Sequence, residues 1–295
     1  MKSEEFFTFI ILLIMSKSNY RLTIVPDRVE QRYWQDLFRY KELFYMLSWR
    51  DLKVRYKQTV LGVAWSVVRP LLTMIIFTIV FSKVANMKAD NPAVPYGLFV
   101  MAGILPWQFF SNALGEASNS LIGNASLLSK VYFPRLIIPA SAIITSFADF
   151  IITLGLMLCL FFYYGYMPST KVVFLPLFIS LNFLASFGIS LFITALNVKY
   201  RDFRYIIPFI VQFGLYISPV GFGTQVLINK LPSSMQTIFM LNPMVGVIDG
   251  FRWCCFNDTP LNTISVITSV CVTTFFLILG VATFRKMERS FADLI

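Results

Sequence analysis

Residues 136–163 read LIIPASAIITSFADFIITLGLMLCLFFY, with a single formally charged side chain, Asp149. About 20 consecutive apolar residues in a helix cross the hydrocarbon core of a bilayer, so this stretch alone makes the chain an integral membrane protein. Working outward, further apolar stretches lie near 61–82, 97–121, 172–196, 204–222 and 261–284. The expectation is an all-α membrane protein with about six transmembrane helices. Composition agrees. The 295 residues are 57% hydrophobic and 14% charged, whereas soluble domains average about 45–50% and about 25%.

The chain contains no histidine. That removes Ser-His-Asp and Cys-His catalysis, H-E-x-x-H zinc sites and His-x-Glu deaminase centres. Cys159, Cys254, Cys255 and Cys271 form no C-x-x-C pair, so neither a metal knuckle nor a disulfide framework is indicated. No G-x-x-x-x-G-K-[ST] phosphate loop is present. Any ATP chemistry must therefore come from another polypeptide.

The formal net charge of +10 is an orientation signal. With the N-terminus cytoplasmic, the inward segments 1–60, 122–135, 197–204 and 285–295 carry 19 Lys and Arg residues, against 5 on the outward segments. The remaining cation, Arg69, lies inside the first span. This is the positive-inside asymmetry; it places both termini in the cytoplasm and leaves little reason to expect nucleic-acid binding. The chain divides into a cytoplasmic N-terminal segment (1–60), a transmembrane domain (61–284) and a cytoplasmic tail (285–295).

Two segments need separate treatment. Residues 6–15, FFTFIILLIM, are apolar but about half a span long. Either they form an interfacial anchor, or translation starts at Met15 and residues 1–14 lie outside the native protein. Residues 223–260 carry apolar pieces broken at Pro232 and at Asn242-Pro243. One more span here would put Arg285, Lys286 and Arg289 outside, against the charge rule. Two short re-entrant or interfacial helices on the outer face are expected instead, tolerated where they line a cavity or pack on protein.

Before the first span comes Lys41 to Leu61, KELFYMLSWRDLKVRYKQTVL. As a helix it puts Trp49, Leu52 and Tyr56 on one face and Arg50, Lys53 and Lys57 on the next. That pattern suits a helix along the inner membrane surface, with cations toward anionic lipid or a partner, or an ordinary basic juxtamembrane segment that only fixes topology.

The order of features resembles a known family. The run Trp49-Arg50-Asp51-Leu52-Lys53-Val54-Arg55-Tyr56, then Thr59, Leu61-Gly62, Trp65 and Pro70, is similar to the entry signature of ABC-exporter permeases for bacterial surface polysaccharides. The likeness continues at Asn124, Leu128, Lys130 and Phe133-Pro134-Arg135. It returns at Asn197-Val198-Lys199-Tyr200-Arg201-Asp202, Ser218-Pro219-Val220 and Leu241-Asn242-Pro243-Met244. It covers roughly residues 40–285.

The resemblance implies a half-channel subunit of the bacterial inner membrane that works as a homodimer with two cytoplasmic ATPase subunits. It carries no cofactor itself, since ATP and Mg bind the partner. The cargo is a lipid-linked polysaccharide of the undecaprenyl-diphosphate type, O-antigen members being nearest. Coupling then falls near Leu43–Lys57 and Asn119–Ser129, with Trp49, Arg50, Asp51, Lys53, Asn124, Leu128 and Lys130 as contacts. The alternative is that Arg50 and Asp51 simply form a solvated pair. Pro219, Asn242 and Pro243 fall at an outer gate.

A sugar conduit should offer rings for C–H faces and amides for hydroxyls. Phe209, Phe213 and Tyr216 share one helical face in the fifth span with Gln212 alongside, and Trp107 and Gln108 follow Pro106 in the second. Taken singly each ring reads as lipid-facing or core packing, and only collectively do they favour a sugar conduit. Arg69 shares a face with Gly62, Trp65 and Thr73. An arginine at a helix centre costs about 2.5–3.5 kcal/mol on insertion scales, so it should meet either the substrate diphosphate or Glu116 in a structural tie. Asp149 is expected to cap a polar cluster with Ser146 and Thr153. Two other classes stay open. An integral-membrane transferase for lipid-linked sugars would need a carboxylate cluster, but the spans hold only Glu116 and Asp149 and no loop holds a D-x-D pair. A secondary carrier would show internal repeats, and none is evident.

Overall fold

The computed structural model describes residues 33–57, 62–86, 89, 91–200, 202–228 and 232–291. The apolar leader 6–15 and the motif residues Thr59, Leu61 and Arg201 lie outside the described residues. Helices α1 (Tyr33–Arg39) and α2 (Lys41–Lys57) precede the first span, α3 (Ala64–Phe77), which runs on as a π-helical segment, Thr78–Val84. Then follow α4 (Tyr96–Gly123), a single turn α5 (Ala125–Leu128), α6 (Ile137–Tyr164), α7 (Leu175–Lys199, led in by a 3-10 segment Thr170–Phe174) and α8 (Phe203–Ile217). Three short helices come next, α9 (Thr224–Ile228), α10 (Ser233–Met240) and α11 (Pro243–Cys255). The long α12 (Thr263–Met287) ends in a 3-10 turn, Glu288–Ser290. No strand occurs among the described residues.

Five segments are long and apolar enough to cross a membrane, namely Ala64–Val84, Tyr96–Gly123, Ile137–Tyr164, Thr170–Lys199 and Thr263–Ser290. The fifth expected span is shorter than 204–222. Helix α8 stops at Ile217 because Ser218 turns to extended backbone (φ −79, ψ 148) and Pro219 has no N–H to continue the ladder. At 1.5 Å per residue its 15 residues reach roughly 22 Å, less than the roughly 30 Å of hydrocarbon. Residues 218–220 are buried against the body of the protein rather than extending the helix.

Helix α4 is the centre of the molecule. It is buried from Gly97 through Trp107 and packs on α6, α7 and α11, while Gln108, Asn112 and Glu116 form a polar stripe along its second half. It remains helical through Pro106, whose carbonyl accepts from Asn182 Nδ2 of α7 at 3.2 Å. Asn197 of α7 likewise donates to the Ser118 carbonyl at 2.8 Å. Between helices already in lipid the hydrophobic effect adds little, so close packing of small residues and interhelical hydrogen bonds hold them together. The α7–α12 crossing shows this: a Cβ on Gly188 would stand 2.7 Å from the Leu277 nitrogen, and one on Gly280 would stand 2.2 Å from the Gly188 carbonyl oxygen.

The segment before the last span departs from expectation in one respect. It forms three short helices where two were expected. The third, α11, is embedded: every residue except Trp253 is buried, and Gly246 is in backbone contact with Ser265 of α12. It packs on protein, which is what makes a non-spanning helix tolerable at this depth.

Helix α2 does not simply lie on a surface. It packs along α6 with Leu43, Leu47 and Ser48 buried. Its expected aromatic face divides: Trp49 stays exposed, stacked on Tyr45 at 6.4 Å between ring centroids, while Tyr56 turns inward to the membrane helices.

Candidate substrate cavity and coupling contacts

The last turn of α2 carries two polar side chains to a carboxylate inside α6. Asp149 accepts from Arg55 Nη1 at 2.8 Å, from the Tyr56 phenol and from Ser66 Oγ at 2.8 Å. The second terminal nitrogen of Arg55 donates to Glu116 of α4. Thr153 Oγ1 closes the group by donating to the Asp149 and Ser66 carbonyls at 2.9 and 3.3 Å. Hydrogen bonds with an ionised partner are about twice as strong as neutral ones. They offset the cost of carboxylates in membrane helices and tie α2, α3, α4 and α6 at one place. Burial, then the hydrogen bond to Asp149, pushes the Tyr56 phenol up to about 12, so it remains a protonated donor at neutral pH. Ser146 does not join, because its hydroxyl turns to the Ala142 carbonyl of its own helix at 3.3 Å. The side-chain partners of the Asp149 carboxylate are Arg55, Tyr56 and Ser66, and Thr153, the other residue expected there, meets only the Asp149 and Ser66 backbone carbonyls.

Directly beside this cluster is a cavity of about 370 Å³, and its wall includes Trp65, Ser66, Arg69, Gln108, Asn112 and Glu116. Three residues singled out in the sequence, Trp65, Arg69 and Gln108, therefore converge. Arg69 is exposed toward it and makes no ion pair among the described residues. Its proposed tie to Glu116 is not formed, because Arg55 holds that carboxylate. Trp107 is a correction. It is 6% exposed and packs on Gly214 of α8, where a Cβ would lie 2.5 Å from the indole. Adjacent helical positions point about 100° apart, which puts Gln108 in the cavity and Trp107 in the packing. Phe209, Gln212, Phe213 and Tyr216 do not line this cavity; they form an exposed face of α8, with the Phe209 and Phe213 rings 4.1 Å apart.

The two segments expected to couple to a partner touch each other. Arg50 donates to Asp51 Oδ1 from Nε at 2.9 Å and from Nη2 at 2.8 Å, and Nη2 also donates to Asn124 Oδ1 at 2.9 Å. Asn124 caps the end of α4 and opens α5, with its Nδ2 returned to the Ser120 carbonyl at 2.8 Å. Arg50 and Asp51 are thus paired, but the pair also bridges to α5. Around it Trp49, Lys53 and Lys130 are exposed, with Lys53 Nζ 5.3 Å from the Trp49 ring centroid. Leu128 is a correction as an outward contact, since it is buried: the apolar side of so short a helix faces its own protein. Arg135 draws the α6 elbow to the end of α12, its N–H donating to Glu288 Oε1 at 2.9 Å and its guanidinium to the Glu288 carbonyl.

At the opposite end, Ser218-Pro219 and Asn242-Pro243 meet as one unit. Asn242 Nδ2 donates to Ser218 Oγ at 2.9 Å, while its Oδ1 accepts from the Met244 N–H and caps α11. The residue that holds this turn was not singled out in the sequence. Arg252 donates to the Val220 and Phe222 carbonyls, each at 2.9 Å, and its guanidinium carbon lies 3.7 Å from the Phe99 ring centroid. Asp249, one turn earlier, accepts from Thr224 Oγ1 and from Ser265 Oγ. The available signal was the i, i+3 placement of Asp249 and Arg252 in a segment that also carries Gly246 and Gly250. Among the described residues no group of three or more Cys, Asp or Glu side chains could hold a metal ion.

Residues 42–256 match the family model described as ABC-2 type transporter. The chain belongs to the ABC-2 type transporter family. It is a multi-pass transporter membrane subunit and not an enzyme, and the transferase alternative finds no support. It is 30% identical over 256 residues to the O-antigen export system permease protein RfbA of Klebsiella pneumoniae, covering 86% of this chain and 95% of that one. It is 29% identical over 218 residues to the protein of the same name in Myxococcus xanthus, covering 74% and 82%. The polysialic acid transport protein KpsM of Escherichia coli is 21% identical over 242 residues, covering 82% and 92%. The family match spans α2, α5 and the outer turn, so the coupling contacts and the cavity both fall within it.

Proposed function

We propose that this permease exports a lipid-linked polysaccharide, most closely an O-antigen on an undecaprenyl-diphosphate type carrier, across the bacterial cytoplasmic membrane. The observation that carries this reading is similarity over 86% of the chain to permeases named for O-antigen export. The working unit is a homodimer with two ATPase subunits, which bind ATP and Mg. Both termini face the cytoplasm, a reading that the excess of Lys and Arg on the inward segments supports.

The geometry supports a mechanism in which the ATPases push on α2 and α5 where Arg50 bridges to Asn124. The same helix carries that motion over roughly 8 Å of its axis, from Arg50 to its last turn. There Arg55 and Tyr56 grip α4 and α6 beside the cavity. Arg69, with its fork of donors, meets the carrier diphosphate, and Trp65 and Gln108 offer a ring and an amide to the first sugars. The exposed Phe209–Tyr216 face of α8 lines the path beyond, closed by the second copy, and the Ser218–Asn242 contact with Pro219 and Pro243 forms the outer gate.

Deleting the gene in its own bacterium tests this reading. Lipid-linked polysaccharide should accumulate on the inner leaflet while surface polysaccharide disappears, and both should recover on complementation. Normal surface polysaccharide in the deletion strain would overturn it.

A further inference from the structure

The basic ends of α7 and α12 enclose a crevice that neither the conduit nor the coupling contacts use. Its volume is about 680 Å³, and it is lined by Lys199 together with Ala282, Thr283, Lys286, Met287 and Ser290. The two helices are in backbone contact deeper in the membrane, where Gly188 meets Gly280 and Leu277. Toward their ends the space between them stays open. Lys199 and Lys286 come from different helices and are both exposed. Neither takes part in an ion pair among the described residues, although Lys199 Nζ lies 5.1 Å from the Tyr200 ring centroid. The carboxylate on the same turn, Glu288, is taken by the Arg135 N–H and lies 4.0 Å from Arg285.

Two ammonium groups at the mouth of an apolar cleft, at the depth where helices leave the bilayer, match a phosphodiester that still carries its acyl chains. We infer that this crevice binds an anionic phospholipid, with its phosphate between Lys199 and Lys286 and an acyl chain along Ala282 and Met287. Basic pockets between transmembrane helices are a recognised mode of anionic headgroup binding. The bound lipid fills the wedge between α7 and α12 below their glycine crossing. The site stands apart from the transported substrate and does not depend on its identity.

The test is titration of the purified full-length chain in nonionic detergent with phosphatidylglycerol, read by native mass spectrometry, with phosphatidylcholine and inorganic phosphate as separate arms. Phosphatidylglycerol should bind in preference to phosphatidylcholine, and inorganic phosphate should not displace it. Lys199→Gln and Lys286→Gln should each weaken binding about fivefold and the double variant about thirtyfold, from about 1 kcal/mol per cation near a headgroup. Lys286→Arg should bind as the parent does. Lys171→Gln, at the other end of the helices, should leave binding unchanged and controls for a general effect of charge. Equal binding of the two lipids, undiminished binding by a double variant that elutes and melts as the parent does, or displacement by inorganic phosphate would each overturn the proposal.

Discussion

Arg55 and Asp149 pair at 2.8 Å, joining the helix before the first span to a carboxylate well inside the third. The other arm of the same guanidinium holds Glu116. One side chain thus fixes where α2 meets two membrane helices beside the cavity.

Removing one member should expose that dependence. Arg55→Gln leaves two carboxylates without their cation and should cost about 2 kcal/mol, the scale of hydrogen bonds to charged groups. Asp149→Asn should cost less, because the amide still accepts from Tyr56 and Ser66. In a double-mutant cycle followed by thermal unfolding in detergent, the pair should couple by about 1 kcal/mol or more. Additive effects would mean that the two residues act independently.

Arg50 and Asn124 should behave differently. Their contact is part-buried, so its loss should change stability by only about 0.5–1.5 kcal/mol. Arg50→Ala and Asn124→Ala are expected to assemble with the ATPase and permit hydrolysis while export falls at least tenfold. If export and hydrolysis fall together, the contact serves assembly and not transmission.

Arg69→Gln separates substrate binding from structure. Export should be lost while expression, assembly and the unfolding midpoint stay within the parent range, because no described partner is left unpaired. Adding Glu116→Gln should not restore export, since Arg55 is the cation that Glu116 serves. Rescue by that second change would restore the structural tie instead.

Gln212→Trp tests whether α8 lines the path. A bulkier side chain on its exposed face should block long glycans, shifting the surface polysaccharide ladder to short chains, with ATPase activity unchanged. A ladder of normal length would remove α8 from the conduit.

The sequence carried much of this, for reasons that differ by residue. Trp65 and Arg69 were legible because i, i+4 spacing fixes a shared face whatever the helix packs against. Arg50 and Asn124 were legible as two segments, but not as a contact, since nothing in a single chain pairs positions 74 residues apart. Arg55 was passed over for the same reason: its carboxylates are 61 and 94 positions away. Trp107 was misplaced because it adjoins Gln108 in sequence, although only Gln108 shares a helical face with Asn112 and Glu116, and Trp107 turns to Gly214 of α8. Arg252 was counted with the outer loop because broken apolar pieces look like loop. Only the embedding of α11 against α4, α7 and α12 makes it a buried cation over Phe99.

The central claim is ATP-driven export of a lipid-linked polysaccharide through this chain. Its most direct test reconstitutes the chain with its ATPase in liposomes carrying a fluorescent lipid-linked glycan, and follows glycan access to an added membrane-impermeant lectin. The account predicts ATP-dependent translocation that is absent with the ATPase alone, absent with non-hydrolysable nucleotide and lost with Arg69→Gln. Translocation at the same rate without ATP, or release of free sugar by the chain alone, would contradict it.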